Sequence, residues 1–91
     1  MAERHKSAIK RHRQSLKKAA RNKTVRTHVR HTIRELREVI GRAEADTAGK
    51  MLPEVVKTID KAVSKGVIHR NSAARRISRL SKQVGQLSKA S

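Results

Sequence analysis

The chain has 91 residues, no cysteine and no aromatic residue, and sets 24 Lys and Arg against seven Asp and Glu, a net charge of +17. This length allows one small domain; disulfides and thiolate metal sites are excluded, no apolar run approaches the roughly 20 residues that span a bilayer, and the basic N-terminus lacks the apolar stretch of a secretory signal. So high a charge repels itself in a compact body until a polyanion neutralises it, and the natural polyanion is nucleic acid, whose phosphates release counterions to Lys and Arg.

The charge is segregated along the chain. Residues 1–34 hold twelve bases and one acid, Glu3; residues 35–60 hold four bases and six acids; residues 61–91 hold eight bases and no acid. Two cationic arms of +11 and +8 therefore flank a middle of −2. The apolar set is Ala, Val, Ile and Leu, with little else. Without aromatics the core is thin, so marginal stability is expected of the free chain.

The first element is a long helix. Val25, Val29, Ile33, Leu36 and Ile40 recur at steps of four, four, three and four, and Ile9, Leu16 and Ala20 extend the stripe weakly upstream. No breaker falls between Ala8 and Ile40, and about 35 helical residues would measure roughly 50 Å. Gly41 offers the stop, with Arg42 near the negative helix end. In residues 4–24 the bases Arg4, Lys6, Lys10, Arg11, Arg13, Lys17, Lys18, Arg21 and Lys23 surround the helix. Like charges at i,i+4 oppose a helix, so this stretch is expected to fray when free and to become helical among phosphates.

A second stripe, Leu52, Val55, Val56, Ile59, Ala62 and Val63, ends at Lys65-Gly66. Asp46 or Thr47 is the expected N-cap, which puts Pro53 inside the helix and predicts a bend there. A third stripe, Ala73, Ile77, Leu80, Val84 and Leu87, follows Asn71 as the expected N-cap. Short connections make neighbours antiparallel. The fold class is all-α: an antiparallel three-helix bundle forming a single domain over 1–91. Helix one runs to about 41, helix two over about 46–64 and helix three over about 70–88. Residues 1–24 overhang as a basic arm.

Chemistry beyond charge finds little support. His28 and His31 are three apart on a helix, but no Cys and no acid shares their turn; the nearest acid is Glu35. His5, His12 and His69 suit phosphate or ribose contact or a plain surface. Glu35 and Glu38 are expected to pair with Arg34, Arg37, Arg42 or a base of helix three. No Ser lies in a Gly-framed elbow, and no Gly-rich phosphate loop exists. Single-strand binders and RNA-recognition sheets need aromatics that this chain lacks. Phosphate contact, shape and Arg stacking remain, which suit folded double-helical RNA or unspecific coating of DNA. In residues 65–80, Arg75 and Arg79 share a helix face with Arg76 beside it, and guanidinium forks suit bidentate phosphate contact. Asn71 and Ser72 lie where free N–H groups can also take a phosphate.

Two stretches carry a resemblance. H-K-S-A-I-K-R-H-R-Q-S-L-K-K-A-A-R-N-K at 5–23 and I-D-K-A-V-S-K-G-V-I-H-R-N-S-A-A-R-R-I-S-R-L at 59–80 are similar, in order and separation, to the two signatures of the bacterial small-subunit ribosomal protein S-twenty family. The resemblance spans nearly the whole chain and is weakest at 41–58. It implies three helices with a long first one, binding to small-subunit ribosomal RNA during assembly, no cofactor and no catalysis. It implies RNA contacts at Lys6, Ser7, Lys10, Arg11, Arg13, Gln14, Arg21, Asn22, Lys23, Arg26 and Arg30. Lys17 joins them as a base of the same arm. Near helix three the implied contacts are Lys65, His69, Arg70, Asn71, Arg75, Arg76 and Arg79. Glu3 departs from the family pattern and is assigned none.

The expected partners are small-subunit ribosomal RNA and other small-subunit components, with no membrane and no small-molecule substrate. The expected location is the ribosome of the bacterial cytoplasm, a plastid ribosome being the other compartment compatible with the sequence. The competing reading is histone-like compaction of DNA. A basic amphipathic helix on an anionic membrane comes third, because the arm carries no broad apolar face.

Overall fold

The computed structural model describes the backbone of residues 2–90 and the side chains of residues 7–89. Its elements are α1 (Ala2–Gly41), α2 (Ala45–Ser64) and α3 (Arg70–Ala90). At 1.5 Å per residue α1 is about 60 Å long and α2 and α3 about 30 Å each. The molecule measures 69 × 21 × 14 Å, with a radius of gyration of 18.5 Å. A compact chain of this length would have a radius near 12 Å. The excess is the overhang of α1.

The core explains where the overhang begins. Val29, Ile33, Leu36 and Val39 of α1 are buried against Ala48, Val55, Ile59 and Ala62 of α2 and Ala73, Leu80 and Val84 of α3. Val67, within the α2–α3 connection, is buried as well. Upstream of Val25 α1 has no such partner. Residues 7–21 are all exposed, including the apolar Ile9 and Leu16, at 41% and 57% of full exposure. The central helix α2 packs extensively on both neighbours, whereas α1 and α3 approach each other closely over only a short stretch.

The expected stripes hold with local corrections. Val39, Ala48 and Val67 are buried although the stripes omitted them, while Val25, Ile40, Leu52, Val56 and Val63 are only half-buried. Val39 lies one residue off the four-three register and is buried in the same cluster. Ala48 lies a turn ahead of the expected stripe because α2 already begins at Ala45. That start places Asp46 and Thr47 inside the first turn, so neither is the N-cap. Glu44 holds that position without a side-chain cap, and its carbonyl accepts from the Ala48 N–H at 2.9 Å. Asp46 instead supplies an acid near the positive helix end. The helix runs without interruption from Ala45 to Ser64 through Pro53, which leaves the Gly49 carbonyl without its usual i+4 donor.

Both inter-helix connections are Schellman turns. After α2, the Gly66 N–H donates to the Val63 carbonyl and the Val67 N–H to that of Ala62, with Gly66 at φ +73°. After α1, the Ala43 N–H donates to Ile40 and the Glu44 N–H to Val39, with Ala43 at φ +58°. The left-handed residue that ends α1 is thus Ala43. Gly41, the expected stop, is the last helical residue.

Candidate nucleic-acid interface

Every described Lys and Arg side chain is exposed. Among the described residues only two ion pairs form: His31 Nε2 with Glu35 Oε1 at 3.0 Å, and Arg42 with Glu44 Oε2 at 3.7 Å. Arg42 is therefore the one described Lys or Arg that meets an acid. The expectation that Glu35 would pair with arginine is corrected, because His31 lies four residues earlier on the same helix, directly beneath it. Glu38 forms no ion pair within 4 Å among the described residues; it lines a cleft instead.

On the overhang, Ser7, Lys10, Arg11, Arg13, Gln14, Lys17, Arg21 and Lys23 are exposed around α1, and Asn22 is half-buried. The Lys6 side chain lies outside the described residues. Thr24 and Thr27 donate their hydroxyl hydrogens to the carbonyls of Ala20 and Lys23, at 3.0 and 2.9 Å. Those two hydroxyls serve the helix, which leaves the charged side chains with Ser7, Gln14 and Asn22 as outward donors of the arm.

The second cationic surface lies between α1 and α3. A cleft of about 580 Å³ is lined by Arg30, Ile33, Arg34, Arg37 and Glu38 of α1 and by Arg76 and Arg79 of α3. It continues into a smaller one lined by Arg26, Arg30, Val67, Ile68, His69, Ser72 and Arg76. Arg26 lies beside the start of α3, and Arg37 and Ile40 lie beside Gln83, Gln86 and Leu87 near its end. The two helices therefore run in the same direction, as two connections of antiparallel sense require.

Of the residues expected near α3, the structure brings His69, Arg76 and Arg79 together with Arg26 and Arg30. It leaves Lys65, Arg70, Asn71 and Arg75 exposed but outside this cleft. Arg75 lies a hundred degrees around the helix from Arg76. Arg34 and Arg37, expected from the sequence to pair with acids, line the cleft as well. Their spacing from Arg26 and Arg30 was the available signal, but only tertiary packing sets them opposite Arg76 and Arg79.

His69 caps α3, a role expected of Asn71. Its Nδ1 accepts the Asn71 N–H at 3.1 Å, and its carbonyl accepts the first helical bond from Ala73. With Nδ1 as acceptor, the neutral ring carries its hydrogen on Nε2, a donor on a residue that lines the smaller cleft. Among the described residues no three His, Asp or Glu side chains gather closely enough to hold a metal, and no helix is long and apolar enough to cross a membrane.

Fold and charge together define a class: an all-α polycation with its bases outside and nearly all of them unpaired. A family profile described as Ribosomal protein S20 matches residues 3–85. The chain is 48% identical over 83 residues to the small ribosomal subunit protein bS20 of Nitratidesulfovibrio vulgaris (strain DP4), covering 91% of this chain and 95% of that one. It is 50% identical over 80 residues to the protein of that name from Oleidesulfovibrio alaskensis, covering 88% and 92%. To that from Geobacter sulfurreducens it is 47% identical over 83 residues, covering 91% and 95%. The chain belongs to the ribosomal protein S20 family, a bacterial family of structural ribosomal components and not of enzymes.

Proposed function

We propose that this chain is a structural constituent of the small ribosomal subunit in the bacterial cytoplasm, where it binds small-subunit ribosomal RNA directly and stabilises its folding during assembly. Its partners are that RNA and neighbouring small-subunit components. The observation that carries this reading is the placement of charge: all described bases are exposed, and Arg42 alone among them is paired with an acid. Unpaired guanidinium and ammonium groups exchange bound counterions for phosphates, and the released ions drive the association. The overhang reaches into crowded phosphates where a compact body of the same charge would not, and α2 holds the second cationic surface in place.

The roles assigned to the arm (Lys6, Ser7, Lys10, Arg11, Arg13, Gln14, Lys17, Arg21, Asn22 and Lys23) are phosphate and ribose contacts. Arg26, Arg30, His69, Arg76 and Arg79 contact RNA at the cleft, and Lys65, Arg70, Asn71 and Arg75 contact it beside the cleft. The test is a competition between protein-free small-subunit ribosomal RNA and a DNA duplex of equal length at equal salt, with crosslinking in purified small subunits. Preference for the RNA and crosslinks from Lys10, Lys17 and Lys23 are expected. Equal affinity for both would return the chain to the DNA-compacting reading, and its absence from purified subunits would defeat the ribosomal one.

A further inference from the structure

Arg26, Arg30, Arg34 and Arg37 follow one another along α1 at steps of four, four and three, and Ser72, Arg76 and Arg79 along α3 at four and three. Such steps keep one side chain per 5.4 Å turn on a single face. The two faces look at each other, and because Arg30 and Arg76 line both clefts, the clefts form one continuous trough. Its charged lining is five arginines at the wider end against a single acid, Glu38.

We propose that this trough seats one strand of a phosphodiester backbone lengthwise, gripped from both sides, with Arg34 and Arg37 among its phosphate ligands. This rests on the RNA-binding reading and adds where on the molecule a strand lies. Three features support it. Like-charged rows repel across the trough until an anion lies between them. The rows stay apart because both helices are held by α2, not by each other, which keeps room for the occupant. The walls offer guanidinium forks, the Ser72 hydroxyl and His69 Nε2, but no Phe, Tyr or Trp face on which a base could stack. An acidic peptide would need apolar anchors, and the wider end has Ile33 alone.

The trough is a linkage element as well as a contact surface. An anion bound there touches α1 and α3 at once, so binding stabilises the bundle by mass action. Removing two of its arginines should leave the free protein as stable as before, or more so, while weakening its hold on RNA.

The experiment uses the full chain and measures the slope of log affinity for small-subunit ribosomal RNA against log salt. R34Q/R37Q is expected to reduce that slope by about two, with an unchanged or raised melting temperature. K50Q/K57Q, on α2 and outside both cationic surfaces, should leave the slope unchanged. An equal reduction by K50Q/K57Q would reduce the effect to net charge and overturn the trough. So would an unaltered slope in R34Q/R37Q when R11Q/R13Q/R21Q lowers it, and RNA binding would then stand without the trough. If neither set lowers the slope, the RNA reading falls as well. Should R34Q/R37Q fail to fold, amide shifts of the unmodified protein decide. Sodium tripolyphosphate is expected to move residues 30–38 and 72–79 before 7–24. Shifts confined to 7–24, or a stronger response of the trough to polyglutamate at equal charge, would overturn the proposal.

Discussion

Ala43 and Gly66 occupy the same position in two copies of one turn, and only one of them is a glycine. A side-chain-bearing residue in the left-handed region carries about 1–2 kcal/mol of steric strain, which glycine avoids. Ala43 is exposed, so replacing it sacrifices no packing. Ala43→Gly should therefore raise stability by about 1 kcal/mol. A Cβ built at Gly66 meets nothing within 4 Å, so its cost is backbone strain alone. Gly66→Ala should lower stability by a similar amount, about 1–2 kcal/mol. Urea melts of the two variants check both signs; a loss on Ala43→Gly would mean that the left-handed turn is not the end of α1 in solution. The sequence pointed to Gly66 because Lys-Gly is a helix stop, but it pointed to Gly41 where Ala43 holds the turn. The chain position of that turn depends on where α1 must leave the core for α2 to pack against it, and no local residue preference carries that information.

Along α1, one helix serves two environments. Residues 25–40 bury Val29, Ile33, Leu36 and Val39, while residues 7–21 bury nothing. Helical hydrogen bonds without tertiary cover open at low free energy, and like charges at i,i+4 lower it further. Amide exchange of the free protein should be fast over 7–24 and slow over 29–40. Addition of small-subunit ribosomal RNA should protect both, since phosphates screen the repulsion. Uniform protection of α1 in the free protein would show that the arm needs no partner to stay helical. In α2 the compensation runs the other way. Pro53 removes a hydrogen bond, but Val55, Ile59 and Ala62 are fully buried within the next nine residues, and burial outweighs the one lost bond.

The whole molecule joins a thin core to a large charge. Leu36, Ile59 and Leu80 are its largest fully buried side chains, and Leu36 and Leu80 reach the centre from α1 and α3. Leu36→Ala or Leu80→Ala should each remove about 2–5 kcal/mol, a large share of a small domain's stability. An unchanged melting temperature by circular dichroism would place those residues outside the core. Charge dominates binding at this scale. With about six to ten phosphates contacted, affinity should fall by about 10³–10⁵ between 50 and 200 mM salt, taking duplex DNA as a proxy for RNA. A flat response would rule out a phosphate-dominated interface. The Gln triple R11Q/R13Q/R21Q should weaken RNA binding while leaving the bundle's melting temperature nearly unchanged, because those side chains touch no part of the core.

Periodicity and charge segregation determined three things from the residues alone: three helices, the half of α1 that packs, and the two cationic arms. Each is a local property, since a face of a helix follows from spacing within it. Tertiary structure decided the rest. It set Arg34 and Arg37 opposite Arg76 and Arg79, turned Ser72 and His69 toward Arg26, and left Arg75 on another side. It gave the cap of α3 to His69, whose ring reaches forward to accept from the Asn71 N–H. Such pairings depend on how α1 and α3 are rotated about their axes when α2 holds both. That rotation is set by the fit of Leu36, Ile59 and Leu80 in one core, not by the order of residues along any single helix.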